Sequence, residues 1–179
     1  MLNMIWYDSP IGGLLLAEQA GALVGLWMEG QKYFLGDWAD TPRREGATPT
    51  LDLARAWLDA YFAGQRPAIG QLPLAPRGGE FRQQVWQALC RIPYGQVTTY
   101  GQLARQLAAQ LGRQSMSAQA VGGAVGHNPL SIIVPCHRVV GAGGSLTGYA
   151  GGVQKKLWLL KHEGAPVERL TLPTRGTAL

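Results

Sequence analysis

Residues 65–79, QRPAIGQLPLAPRGG, hold three prolines and three glycines and show no helical period. Proline fixes φ and removes a backbone donor, and glycine weakens helix and strand alike, so no regular element can run through this stretch. It divides the chain, and the two sides differ in pattern. Before it, short apolar runs alternate with turn glycines: MIWYDS, Gly12-Gly13, LLLAEQ, a turn at Gly21, then ALVGLWM. This is the grammar of hairpins. A polar loop near 40–49 leads into TLDLARAWLDAYFAG, where Leu51, Ala54, Leu58 and Tyr61 share one face, Asp52 lies near the N-terminal end and Gly64 stops the helix.

After the divide the period turns helical. EFRQQVWQALC is followed by a turn at Pro93-Tyr94-Gly95, then TTYGQLARQLAAQLG, then SAQAVGGAVGH, stopped by Asn128-Pro129. LSIIV makes an extended approach to Cys136, a glycine-rich loop GAGGSLTGYAGG follows, and the last helix, VQKKLWLLKHEG, closes at Gly164. The expected class is α+β in two domains. Residues 1–64 form a small antiparallel sheet with one helix, 65–79 a linker, 80–164 a mainly helical domain, and 165–179 a tail.

Charge divides at the same place. Residues 1–76 carry five Lys or Arg against eight Asp or Glu; residues 77–156 carry eight Lys or Arg against Glu80 alone. A half so poor in acid attracts a polyanion through several contacts. The chain opens on MLNMIWYDSP, without a charged segment leading into an apolar run, and no stretch approaches the ~20 apolar residues of a membrane span. A cytoplasmic protein with no membrane association is expected. Cys90 and Cys136 are separated by 45 intervening residues and form no CxxC pair, and His127, His137 and His162 complete no ligand set at metal spacing, so no metal site is expected.

Two segments invite functional readings. Helix, connector and helix across 99–127 fit a helix-turn-helix whose second helix, with Ala118, Ala120, Gly122, Gly123 and Ala124, has little side-chain bulk. Glycine costs helix stability, and either close approach to a partner or tight packing on another helix would account for it. The glycine-rich loop is no dinucleotide fingerprint, because a GxGxxG from Gly141 meets Leu146 where the last glycine should stand. Cys136, between Pro135 and His137-Arg138, is either a small buried hydrophobe or a thiol activated by positive neighbours. Cys90, at the end of a helical run, reads as core.

Asn128-Pro129, VPCHRVVG, GSLTGYAGG and KKLWLLKHEG together resemble the O6-alkylguanine-DNA alkyltransferases, the suicide repair proteins also called methylated-DNA-protein-cysteine methyltransferases. The resemblance is strongest from about Gly79 to Gly164. It implies a ribonuclease-H-like first domain and a helical, winged-helix-like second domain with a DNA-binding helix-turn-helix. It also implies irreversible transfer of an alkyl group from O6-alkylguanine, and from O4-alkylthymine, to Cys136. The partner would be double-stranded DNA containing the lesion, met by a monomer without cofactor.

Residue roles carried over by the resemblance are as follows. His137 takes the thiol proton through a water, Glu163 orients the imidazole, and Asn128 fixes the active-site turn. Tyr100 crowds the phosphate beside the target. Val139, Tyr149, Ala150 and Gly151 line the base pocket, with the Tyr149 hydroxyl donating toward N3 and the Ala150 backbone contacting O6. Lys156 supports the loop carrying Tyr149, and Arg138 is structural. Gln119, Ala120, Gly122 and Gly123 meet the DNA. Where the family usually has arginine this chain has Gln119, which implies slower or weaker repair. The segment ARQLAAQLGRQSMS is longer than usual, so either the first helix is extended or the turn enlarged. The alternative within the same fold is a sensor that flips the alkylated base without accepting the group, a reading that the presence of Cys136 opposes.

Overall fold

The computed structural model describes residues 1–173. The chain forms two compact units, Met1–Arg77 with Pro129–Ile133, and Gly78–Asn128 with the chain from Val134 onward.

In the first unit, Leu2–Ser9 (β1), Gly12–Gln19 (β2) and Ala22–Met28 (β3) make an antiparallel meander. Its first turn falls on Pro10-Ile11, not on Gly12-Gly13. Proline supplies the φ a turn needs, and Gly12, at φ 105°, opens β2 opposite Ser9. Arg43–Glu45 (β4) pairs in parallel with the start of β1, so the four-stranded sheet, ordered β3-β2-β1-β4, is mixed.

Pro49–Phe62 (α1) starts at Thr48, whose hydroxyl accepts from the Leu51 amide at 3.2 Å, with Pro49 in the first turn. Its face of Leu51, Ala54, Trp57, Leu58 and Tyr61 is buried. Each large apolar side chain covered in this way stabilises the unit by about 1.5–3 kcal/mol. The loop after β3 brings Leu35 and Trp38 into a core with Leu2, Met4, Leu15, Ala17, Val24 and Trp27. The proline-rich segment runs beside β3, with Leu23 N–H donating to Pro73 C=O at 2.7 Å and Ala75 N–H to Leu23 C=O at 2.9 Å. Further along the same strand, Leu26 N–H donates to Pro129 C=O at 2.8 Å and Ser131 N–H to Leu26 C=O at 3.1 Å.

The second unit contains Glu80–Leu89 (α2), Thr98–Thr99 (β5), Tyr100–Gln110 (α3), Ala118–Gly126 (α4), Val139–Val140 (β6) and Val153–His162 (α5). Helices α2, α3 and α4 pack on one another through Val85, Trp86, Leu89, Leu103, Leu107, Val121 and Val125. The small residues of α4 let Trp86 reach its backbone, and the indole donates to Ala124 C=O at 2.9 Å. A capping box, Thr99 with Gln102, starts α3.

Both options for the long connector are realised. Helix α3 runs through Gln110, and 111–117 then cross to the Ser117 cap of α4. The helix ends in a Schellman motif: Arg113 N–H donates to Ala108 C=O and Gly112 N–H to Ala109 C=O, with Gly112 at φ 64°.

Residues 165–173 are held to the second unit. Ala165 is buried with Val140, Leu146, Val153 and Leu160, and Leu146 N–H donates to Thr171 C=O at 2.8 Å. The remainder of the segment read as a tail, 174–179, lies outside the described residues. Among the described residues no helix is long and apolar enough to cross a membrane.

Candidate active site

The approach to Cys136 is built from two tight turns. Ile133 N–H donates to Ser131 C=O at 2.8 Å around Ile132, a γ-turn whose central residue stands at φ 71°. A β-branched residue there is strained. Cys136 N–H then donates to Val134 C=O at 2.8 Å around Pro135, at φ −81° and ψ 62°, the relaxed inverse form. Asn128 Nδ2 donates to the same Val134 carbonyl at 2.8 Å, and its side chain also hydrogen-bonds the Cys136 thiol. Asn128 therefore ties the end of α4 to the turn that carries Cys136.

Cys136–Arg138 form one turn of 3-10 helix that feeds directly into β6. Strand β6 pairs in parallel with β5, Thr98 opposite Val139 and Thr99 opposite Val140. Since α3 begins at the next residue, this pairing delivers Tyr100 beside the cysteine. The Tyr100 hydroxyl donates to Thr147 C=O at 3.0 Å. This bond ties the start of α3 to the glycine-rich loop.

Cys136 is 6% exposed. Burial raises its pKa, opposed in part by the Asn128 hydrogen bond and the Lys156 charge, so the resting group is a thiol. His137 is completely buried, with Nε2 2.7 Å from Glu163 Oε1. Its Nδ1 is buried and makes no hydrogen bond among the described residues. Burial lowers its pKa against the opposing pull of Glu163. Burial alone would raise Glu163, but His137 and Arg138 hold its carboxyl well below the usual range. The unfavourable position of this carboxylate at the end of α5 is thereby offset.

Lys156 is fully buried on α5, and Nζ donates to Val139 C=O at 2.5 Å and to Thr147 C=O at 2.9 Å. Burial pulls its pKa down to about 8. The charge of an ionised Cys136 would pull the other way. Lys156 Nζ stands 5.9 Å from the ring centres of both Tyr100 and Tyr149. One buried cation thus joins β6, which carries Val139, to the loop that carries Tyr149, Ala150 and Gly151.

Gln119, Ala120 and Gly123 share the exposed face of α4, with Gly122 half-buried beside Tyr100. The inward face is Val121, Ala124 and Val125. A cavity of about 920 Å³ beside α2 and α3, lined by Arg91, Gln102 and Gln106 among others, contains none of these side chains. No group of three or more His, Cys, Asp or Glu placed to hold a metal ion occurs among the described residues.

Sequence reading missed Thr147 and Gly95. Thr147 acts through its carbonyl, which no residue type announces. Gly95 approaches Glu163 so closely that a Cβ there would stand 2.8 Å from the Glu163 carbonyl oxygen, and its sequence signal was the turn Pro93-Tyr94-Gly95.

Two family models match almost end to end. Residues 4–76 match the ribonuclease-like domain of 6-O-methylguanine DNA methyltransferase, and residues 80–165 match its DNA binding domain. The chain belongs to the 6-O-methylguanine DNA methyltransferase family. It is 44% identical over 163 residues to the methylated-DNA–protein-cysteine methyltransferase of Mycobacterium tuberculosis, covering 91% of this chain and 93% of that one. With the protein of the same name from Salmonella typhimurium the identity is 61% over 104 residues, spanning 58% of each chain. The fold is similar to that of a crystal structure of Mycobacterium tuberculosis OGT in complex with DNA, with TM-score 0.76, 42% identity and 94% of each chain covered. The first model runs through most of the proline-rich segment, to residue 76, and the second begins at residue 80, just past its end.

Proposed function

We propose that this protein is a single-use DNA repair methyltransferase that moves the alkyl group of O6-alkylguanine in double-stranded DNA onto Cys136. One observation carries the reading. The cysteine's neighbour is a neutral, buried histidine that uses Nε2 on Glu163 and keeps Nδ1 open. That is the arrangement of a base waiting for a thiol proton.

In the reaction, Sγ attacks the saturated carbon bound to O6, the C–S bond forms and the C–O bond breaks with its electron pair leaving on the purine. The thiol proton goes to His137 Nδ1 through a water, and Glu163 stabilises the imidazolium. The departing guanine is steadied by the Ala150 backbone at O6 and the Tyr149 hydroxyl at N3. It regains a proton, so unmodified guanine and S-alkylcysteine are the products. Asn128 holds the turn, while Val139 and Gly151 complete the base pocket and Lys156 keeps its two walls together.

The base reaches Cys136 by leaving the duplex, at a cost of a few kcal/mol. The exposed face of α4, Gln119, Ala120, Gly122 and Gly123, meets the DNA while this occurs, and its small residues suit a minor groove. The M. tuberculosis relative crystallised with DNA supports that partner. O4-alkylthymine is the second substrate in this reading, the working form is a monomer, and the location is the cytoplasm, where a thiol stays reduced.

The test is intact mass after incubation with a duplex holding one O6-methylguanine, followed by peptide mapping. A gain of about 14 Da on Cys136 that saturates at one per protein is expected. Tight lesion binding with no gain would leave the sensor as the function.

A further inference from the structure

Resting on that reading, we propose that Arg138 is a positioning residue that neutralises and orients Glu163 so that His137 waits as an uncharged base with its lone pair on Nδ1. The guanidinium is 8% exposed and makes three hydrogen bonds: Nε to Glu163 Oε2 at 2.8 Å, Nη2 to Glu163 Oε1 at 3.0 Å, and Nη1 to Ile92 C=O at 2.6 Å. A fork that grips both carboxylate oxygens fixes the plane of the group as well as its distance. Oε1 is left turned toward His137 Nε2, 2.7 Å away.

The third bond anchors the fork to the turn after α2. The same turn sends the Gly95 N–H onto Glu163 Oε2 at 3.4 Å. Three segments distant in sequence, residues 92–95, 137–138 and 163, are thereby locked to one geometry.

The charges around His137 make the need for Arg138 clear. Helix α5 supplies Lys156 and is capped by Glu163, the 3-10 turn supplies Arg138 and Cys136, Cys90 follows α2 within the field of Arg138, and α3 supplies Tyr100 near Cys136. Among these groups Glu163 is the sole carboxylate. Burial is the largest influence keeping His137 uncharged, but a carboxylate in contact with it and left uncompensated favours the imidazolium, which cannot accept the thiol proton. With Arg138 in place the carboxylate remains a hydrogen-bond acceptor but its charge is cancelled. The pair becomes useful again after proton transfer, when the imidazolium is stabilised through the bond already formed.

The first measurement needs no variant. ¹⁵N resonances of histidine-labelled protein near neutral pH should show His137 protonated at Nε2 and bare at Nδ1. An imidazolium, or the opposite tautomer, overturns the proposal.

The second measurement follows single-turnover transfer from an O6-methylguanine duplex over about pH 5 to 9 for wild type, Arg138→Met and Arg138→Lys, with lesion-DNA affinity and thermal melting measured on each. In Arg138→Met the acidic limb of the rate profile should move up by about one pH unit or more, and the plateau should fall about tenfold or more, with affinity for the duplex kept. Arg138→Lys restores charge without the fork, so the limb should return toward wild type while the plateau stays low. A rate reduced evenly at every pH, with the limb unmoved, would make Arg138 merely structural and overturn the proposal. A wild-type protein that fails to methylate Cys136 would instead overturn the proposed function. If Arg138→Met does not fold, the lysine variant and the wild-type resonances still decide.

Discussion

Cys136 and His137 are buried in their uncharged forms, and each consequence can be measured. Replacing Cys136 by serine should abolish transfer while lesion binding stays within about twofold, because a hydroxyl is a far poorer nucleophile and nearly the same size. Loss of both together would make the cysteine structural. Stability should depend on acid in a defined way. The native fold holds the pKa of His137 below its ordinary 6.5, so as pH drops through that value the unfolded chain takes up a proton that the native chain refuses. Glu163 has the same sign lower down, since its stabilising pair with Arg138 and His137 is complete above its ordinary 4.5 and lost on further acidification. Melting temperature should therefore fall between about pH 7 and pH 5, and fall less in His137→Gln. A flat curve in the wild type would mean that folding leaves the His137 pKa near 6.5, and a rise would mean that His137 is protonated in the native state.

At the scale of elements, short links set the chemistry. The turn 93–95 must let the backbone pass against Glu163, and Gly95 does so at φ 76° with no room for a methyl group. Gly95→Ala should cost about 1 kcal/mol in backbone strain alone and should slow transfer by displacing the carboxylate. Transfer at the wild-type rate would show that the turn can yield. On α4, Gln119 is exposed, so Gln119→Arg should fold normally and speed transfer on duplex DNA more than on the free modified base. Equal acceleration of both would mean that position 119 does not act on the duplex.

How far the sequence could be read also divides at this scale. Helices α1 to α5 were legible from period, a local signal, and Cys136 was singled out by its neighbours, while the roles of His137 and Asn128 came only from the resemblance that four separate runs carry together. The Arg138 fork was not legible, since its partners lie 25 and 46 positions away, and neither was the turn of the Tyr100 hydroxyl toward Thr147. Leu35 and Trp38 cover a sheet face from a loop without period, entered through Tyr33 and Leu35 at positive φ, so no pattern announced them.

For the whole molecule, the informative fact is that the chain does not finish one unit before starting the other. LSIIV, residues 130–134, reads locally as an extended approach to the cysteine, yet all of it but Val134 belongs with Pro129 to the first unit, hydrogen-bonded to Leu26 about a hundred positions earlier. The last five residues before the Val134-Pro135 step, strained Ile132 included, are thus held by a strand that a fragment starting at Gly78 would lack. Such a fragment should melt at a lower temperature and transfer poorly, and residues 1–77 supplied separately should restore part of the activity. Full activity in the fragment alone would mean that the turn at Ile132 holds itself.

The burial of Cys136 has a further consequence that concerns waiting rather than reacting. A protein that works once is a stockpiled reagent, and its value depends on shelf life. A thiol 6% exposed and kept protonated is a poor target for peroxide, for metal ions and for stray electrophiles. The resting group keeps its proton, so each molecule can age without losing its single chance.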